Sequence, residues 1–298
     1  MHGIAAWLVA RPQNGVLALA GTLLLPAPQF TSGVVLVLLV LALGKRSAAL
    51  AAVFAALLLM PIALLVGVPV TSIPSIVAIV WVPMYLLAVL LSASRSLPLT
   101  LQVSVLVMVA GVLVFNAVIA DPVAFWQPVL DTALELWRQN GMQEQAAAIA
   151  SQPEVFAELA AVMAGWSIWT VYVAGFLWGY WLFGQLQTES GEFGRFQDLN
   201  FGRVIAMTLV LAIGLGLLFG ANWLTNIALL LLGVFWLQGL ALVHWMQAKG
   251  LLPIFALIAV YVLLPVLHVV LIMALAFVGY TDAWFDYRRR FANRQTQG

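Results

Sequence analysis

The chain has no cysteine, which excludes a disulfide framework, a thiolate metal site and a cysteine nucleophile. Charge is scarce too: Asp, Glu, Lys and Arg make up 8% of 298 residues, against about 25% in a soluble domain. A net charge of +1 gives no electrostatic footprint for nucleic acid. Gly-x-Ser-x-Gly and His-Glu-x-x-His are both missing, and with them the nucleophile elbow and the zinc-protease helix. Gly191 and Gly194 lack the lysine and the preceding strand of a phosphate loop. The carboxylates Asp131 and Glu135 fall on a solvated helix face, so no enzymatic activity is expected. The N-terminal MHGIAAWLVARPQNG has a short apolar run and no basic start, unlike a secretory signal. The first membrane helix is expected to direct insertion.

What the chain does have is apolar length. It is 64% hydrophobic, with a mean hydropathy of +1.09. Nine apolar segments stand at about 14–25, 29–43, 47–67, 70–92, 97–119, 156–186, 203–219, 223–247 and 252–278. About 20 apolar residues span a bilayer. The expected fold is therefore all-α: a polytopic transmembrane bundle of about eight or nine helices, forming one integral domain over residues 1–298.

Lys45, Arg46 and Arg95 follow the second and fourth segments, which places the N-terminus inside by the positive-inside rule. Residues 121–155 then form an amphipathic extracytoplasmic loop. Trp126, Leu130, Ala133 and Trp137 make its membrane-facing stripe, with Asp131, Glu135 and Arg138 elsewhere. Asn140-Gly141 ends that helix, and Ser151, Pro153 and Glu154 read as a capping box opening the next. Residues 188–203 read as a plain cytoplasmic connection. Nine spans would leave the arginine-rich end outside, against the rule. Reading 203–219 as non-spanning brings that end to the cytoplasm, the favoured arrangement.

Polar residues inside spans are expensive and are functional candidates. They are Asn116, Asn226, Gln238, His244 and His268, with Gln102 and Asn222 nearer the ends. Asp, Glu, Lys and Arg are missing from the middle of every segment, which disfavours a charge-coupled carrier. The histidines stand on different segments without nearby carboxylates, so neither a metal nor a cofactor is expected. The sixth segment carries Trp169, Tyr172 and Phe176 on one face, one turn from Trp166. A ligand pocket of Trp169, Tyr172, Phe176, Asn226, Gln238 and His268 is one reading. Lipid-facing aromatics and a helix-packing histidine are the other. Small residues at steps of four mark helix-packing or partner sites: Gly175 and Gly179, Gly216 and Gly220, and Ala48, Ala52 and Ala56.

The last apolar run bends at Pro265, is stopped by Gly279 and leads into an interfacial tail over residues 280–298. Tyr280, Trp284, Tyr287 and Phe291 form one helical stripe, and Asp286 and Arg290 an ion pair four residues apart. Trp284, Tyr287, Arg288, Arg289 and Arg290 are the membrane-interface residues. The junction GYTDAWFDYRRRF, with Gly279, Asp282, Trp284, Phe285, Asp286 and Arg288 to Arg290, resembles the C-terminal signature of the YybS-like bacterial membrane proteins, a domain of unknown function. That family is distantly similar to the substrate-binding subunits of energy-coupling-factor transporters. The resemblance implies a multi-pass protein of the bacterial inner membrane that binds or transports a small molecule. It also implies that an alanine stripe such as Ala48, Ala52 and Ala56 docks a coupling subunit. The alternative is a non-transporting scaffold or regulator of envelope or division machinery. The partners in view are the lipid bilayer, a small-molecule ligand, and a coupling or scaffold membrane protein; nucleic acid is not among them.

Overall fold

The computed structural model describes residues 2–67, 69–186, 192–220 and 222–295. Among them the chain is helical throughout, with no strand. The helices are α1 (His2–Ala10), α2 (Pro12–Leu23), α3 (Pro28–Leu43), α4 (Lys45–Val66), α5 (Ile73–Ser94), α6 (Leu97–Val118) and α7 (Pro122–Gln139). They continue as α8 (Gln143–Ala150), α9 (Pro153–Gly184), α10 (Gly202–Phe219), α11 (Asn222–Ala248), α12 (Ile254–Leu263), α13 (His268–Phe285) and α14 (Tyr287–Gln295). Short 3-10 turns stand at Val70–Ser72 and Phe196–Asp198.

Seven of the described helices are long and apolar enough to cross a membrane: α4, α5 with its preceding turn, α6, α9, α10, α11 and α13. The protein is thus a multi-pass membrane protein, in which each helix satisfies its own backbone where water is missing. Three of the nine apolar segments fall short as single spans: 14–25 and 29–43, which form α2 and α3, and the last run, which breaks into α12 and α13 with only α13 long enough. Gly202–Phe219, the segment doubted on charge parity, does qualify.

The chain forms two compact units, Met1–Ser104 with Ile168–Phe196, and Val105–Ser167 with Gln197–Gly298. In the first unit α3 is the centre: Ser32 to Val40 are buried without interruption. A helix that is apolar all round belongs inside. Its one buried hydroxyl is doubly used, since Ser32 Oγ donates to the Leu19 carbonyl at 3.1 Å and accepts from Trp81 Nε1 at 2.8 Å. Gly175 and Gly179 do act as a close-packing pair: a Cβ at Gly175 would stand 2.6 Å from Met84 Cε, and one at Gly179 2.8 Å from the Val34 carbonyl oxygen. On α4 the buried stripe is Ala48, Ala51, Ala55 and Leu59, with Ala52 and Ala56 half-buried beside it. Steps of three and four keep a stripe on one face of a 3.6-residue helix, whereas steps of four alone drift off it.

In the second unit the closest approach is between α11 and α13. A Cβ on Gly279 would overlap the Phe235 carbonyl oxygen and stand 2.6 Å from Gly239 N; one on Gly239 would overlap the Leu275 carbonyl oxygen. Gly279 therefore does not stop the helix, which runs on to Phe285 and ends at Asp286 with φ +46°. The expected tail divides accordingly: residues 280–285 belong to α13, α14 follows, and residues 296–298 lie outside those described. The stripe Tyr280, Trp284, Tyr287 and Phe291 is interrupted at Asp286. The pair at Gly216 and Gly220 serves a local turn instead: a Cβ at Gly216 would stand 3.2 Å from Thr225 Oγ1, and Gly220 ends α10 with φ +60°.

Between α6 and α9, Asp121 Oδ1 accepts from Ala124 N–H at 2.9 Å and caps α7. Leu130 and Leu134 of α7 meet Ala146 of α8 in a small core, with Trp137, Ile149 and Phe156 packed on it. Two residues of the stripe read as membrane-facing, Leu130 and Trp137, are thus taken up by this core. Ser151 forms no capping box: its hydroxyl bonds back to the Ala148 carbonyl at 2.7 Å, and α9 opens with Phe156 N–H on the Gln152 carbonyl.

Gly279→Ala is expected to force α11 and α13 apart, at a cost of about 1–3 kcal/mol or more. Gly214→Ala, which points its Cβ into open space, should be neutral or gain up to about 1 kcal/mol. Thermal denaturation of the detergent-solubilised protein would distinguish the two.

Candidate functional site

The best-built polar site lies at the end of α13. Asp282 occupies the last turn of that helix and is fully buried. The left-handed Asp286 then folds the chain back, with its N–H on the Asp282 carbonyl at 2.9 Å. Two further donors reach the Asp282 carboxylate as a result: Tyr287 N–H on Oδ1 at 3.1 Å, and Arg288 Nη1 on Oδ2 at 2.8 Å. The second guanidinium nitrogen, Nη2, donates to the Leu199 carbonyl at 3.0 Å. From α11, Gln238 Nε2 donates to Asp282 Oδ2 at 2.9 Å, while its Oε1 accepts from Phe201 N–H at 2.8 Å.

One carboxylate thus joins α13, α11, the segment before α10 and the first turn of α14. Leu199, Phe201 and Phe235 are buried around it. Phe235 stands edge-on to Phe201 at 6.0 Å and to Tyr280 at 5.5 Å. This apolar surround lowers the local dielectric and strengthens each bond it encloses. It also raises the cost of removing any one partner. Arg288 Nε is buried without a hydrogen-bond partner among the described residues.

The sequence reading placed Asp282 in the interfacial tail and gave it no buried partner. The available signal was pairing: Gln238 in the middle of an apolar helix needs a polar partner, and Asp282 stands three residues past the glycine where α13 meets α11.

A second anchored loop belongs to the first unit. Residues 188–191 of the expected plain connection lie outside those described, but the following residues are tied down. The Phe193 ring stacks on Phe183 at 6.0 Å, its carbonyl accepts from Leu97 N–H at 2.8 Å, and Tyr180 Oη donates to the Gly194 carbonyl at 2.8 Å. Arg95 lies over Phe193 at 5.6 Å and pairs with Glu192 at 2.6 Å, in an exposed position.

No protein-family model, curated protein or solved structure matches this chain.

The residues proposed for a ligand pocket are placed as follows. In the first unit, Trp169 Nε1 donates to Ser104 Oγ at 2.9 Å, Tyr172 Oη bonds the Ile79 carbonyl, and Phe176 is fully buried. In the second, Gln238 is occupied at both ends as described. Asn226 is buried near the start of α11, and His268 is exposed at the first position of α13. Asn116 bonds the Val112 carbonyl of its own helix at 2.8 Å, and His244 pairs with Tyr261 Oη at 2.8 Å. Of the interface residues, Trp284 and Tyr287 are half-buried and Arg288 joins Asp282, while Arg289 and Arg290 are exposed. Arg290 stacks over Phe285 at 5.3 Å, and Asp286 Oδ1 accepts from Arg289 N–H at 3.4 Å, capping α14.

Asp282→Asn or Arg288→Gln leaves the other charge buried alone, and either is expected to cost about 3–5 kcal/mol. Arg95→Gln breaks an exposed pair and should cost under about 1 kcal/mol. Denaturant titration in detergent measures both, and the Asp282 effect should persist at high salt, where exposed pairs are screened.

Proposed function

We propose that this protein is a non-transporting partner in the bacterial inner membrane, a scaffold or regulator of cell-envelope or division machinery that presents α14 to another protein. The supporting observation is the use made of the buried ion pair. A helix of nine residues is too short to hold itself in water, yet α14 is fixed at its first turn by Tyr287 N–H and Arg288 on Asp282. Arg289 and Arg290 remain outward. Most of the polar residues that a ligand pocket would use already have partners in their own unit, and His268 faces outward. The arginines of α14 favour the cytoplasmic side, a placement that, with α10 long enough to span, requires another of the candidate helices not to cross. The resemblance to the YybS-like family fits a multi-pass protein of this class. With a photocrosslinker at Phe291 or Trp284, cells should yield one defined protein adduct that disappears on R289Q/R290Q. Lipid adducts alone would argue against the proposal.

A second reading, small-molecule binding similar to the energy-coupling-factor substrate subunits, is favoured by one observation. Trp166 and Trp236 stand edge to face at 6.5 Å, and both indole Nε1 atoms are buried with no hydrogen-bond partner among the described residues. A buried donor left unmade costs about 1–3 kcal/mol, and a ligand acceptor would relieve it. On this reading the purified protein carries a small molecule visible by mass spectrometry, and W166F loses it. An empty protein whose W166F variant melts at the same or a higher temperature would exclude it.

A further inference from the structure

We infer that α7 lies in the headgroup boundary of the bilayer on the face formed by Phe125, Val129 and Leu136. The helix carries three stripes. Leu130, Leu134 and Trp137 are taken by the core shared with α8. Asp131, Glu135 and Arg138 form a charged stripe. Phe125, Val129 and Leu136 follow at steps of four and seven, which puts them on one line of a 3.6-residue helix. They are exposed at 50%, 49% and 53%. Thr132 falls on the same line and is exposed as well.

The occupant follows from how α7 is tethered. Val118 ends α6, a candidate span, and α7 starts at Pro122. Ala150 ends α8, and α9, another span, starts at Pro153. An extended residue covers at most about 3.6 Å, so the first turn of α7 stays within roughly 15 Å of the end of α6. The contact is closer than that limit. The Phe125 ring meets Phe115 of α6 at 5.1 Å, edge to face. On α6 itself Val114 and Val118 are exposed, in the last turns before the connection. The exposed stripe of α7 therefore begins where the lipid-facing surface of a span leaves off. An exposed apolar line separate from the charged one, held beside a span at each end, is the pattern of an in-plane interfacial helix. The stripe that packs on α8 cannot serve this role, because it is already covered.

The absence of cysteine from the chain makes the test direct. Single cysteines at Phe125, Val129, Leu136, Asp131 and Glu135 would be nitroxide-labelled in the full-length protein, reconstituted in phosphatidylcholine nanodiscs. Collision rates with oxygen and with a water-soluble nickel complex would then be compared. The oxygen-to-nickel ratio should be several-fold higher at 125, 129 and 136 than at 131 and 135. Water-like ratios at 129 and 136 would overturn the inference, and so would protection there from both reagents, which indicates a protein cover. Should F125C fail to assemble, V129C and L136C decide alone.

Discussion

The carboxylate of Asp282 sits where water does not reach, and three donors converge on it. Isolated, such a charge in an apolar surround would be strongly destabilising. Here Arg288, Gln238 and the Tyr287 amide supply what water would have given. The arrangement matters because its members come from four places in the chain. Gln238 belongs to α11, Asp282 to α13, Arg288 to α14, and the Phe201 amide and Leu199 carbonyl to the segment leading into α10. Each would carry an unsatisfied polar group if the others moved away. The network therefore penalises alternative placements of these segments more than it adds stability to the correct one, in keeping with the general behaviour of buried ion pairs.

The network depends in turn on the close crossing of α11 and α13. Gly239 is the neighbour of Gln238, and Gly279 stands one turn before Asp282. The two glycines let the backbones meet, and that approach is what brings the amide and the carboxylate within hydrogen-bond reach. Crossing and polar pair form one device. Its product is a fixed exit for the chain: Asp286 turns it, Asp282 holds the turn, and α14 leaves with Arg289 and Arg290 facing out.

Much of the architecture was legible in the sequence because membrane hydropathy is a local property. Apolar length alone marks the seven helices long enough to span, though it overcounts with 14–25 and 29–43, and Asn140-Gly141 marks the end of α7 without reference to anything distant. The errors came where a tertiary partner decides. Gly279 looked like a stop because glycine weakens helices in water, but inside an apolar bundle it is the residue that permits contact. With the helix ended too early, Asp282 was read as part of an interfacial tail. Gly216 and Gly220 have the same spacing as Gly175 and Gly179, yet only the latter pair faces another helix closely at both positions. Periodicity showed that α7 has an apolar stripe. It did not show that there are two, or which one α8 covers.

An anchored protein that acts at its edges is the account these contacts support, and its central claim is that one buried carboxylate couples α14 to the start of α10 through Gln238. Amide hydrogen exchange in nanodiscs tests it directly. The Tyr287 and Phe201 amides, which donate to Asp282 and Gln238, should be slow in the native protein, and both should accelerate together in D282N. If Phe201 keeps its protection while Tyr287 loses it, or if neither changes, the coupling does not exist and the account fails.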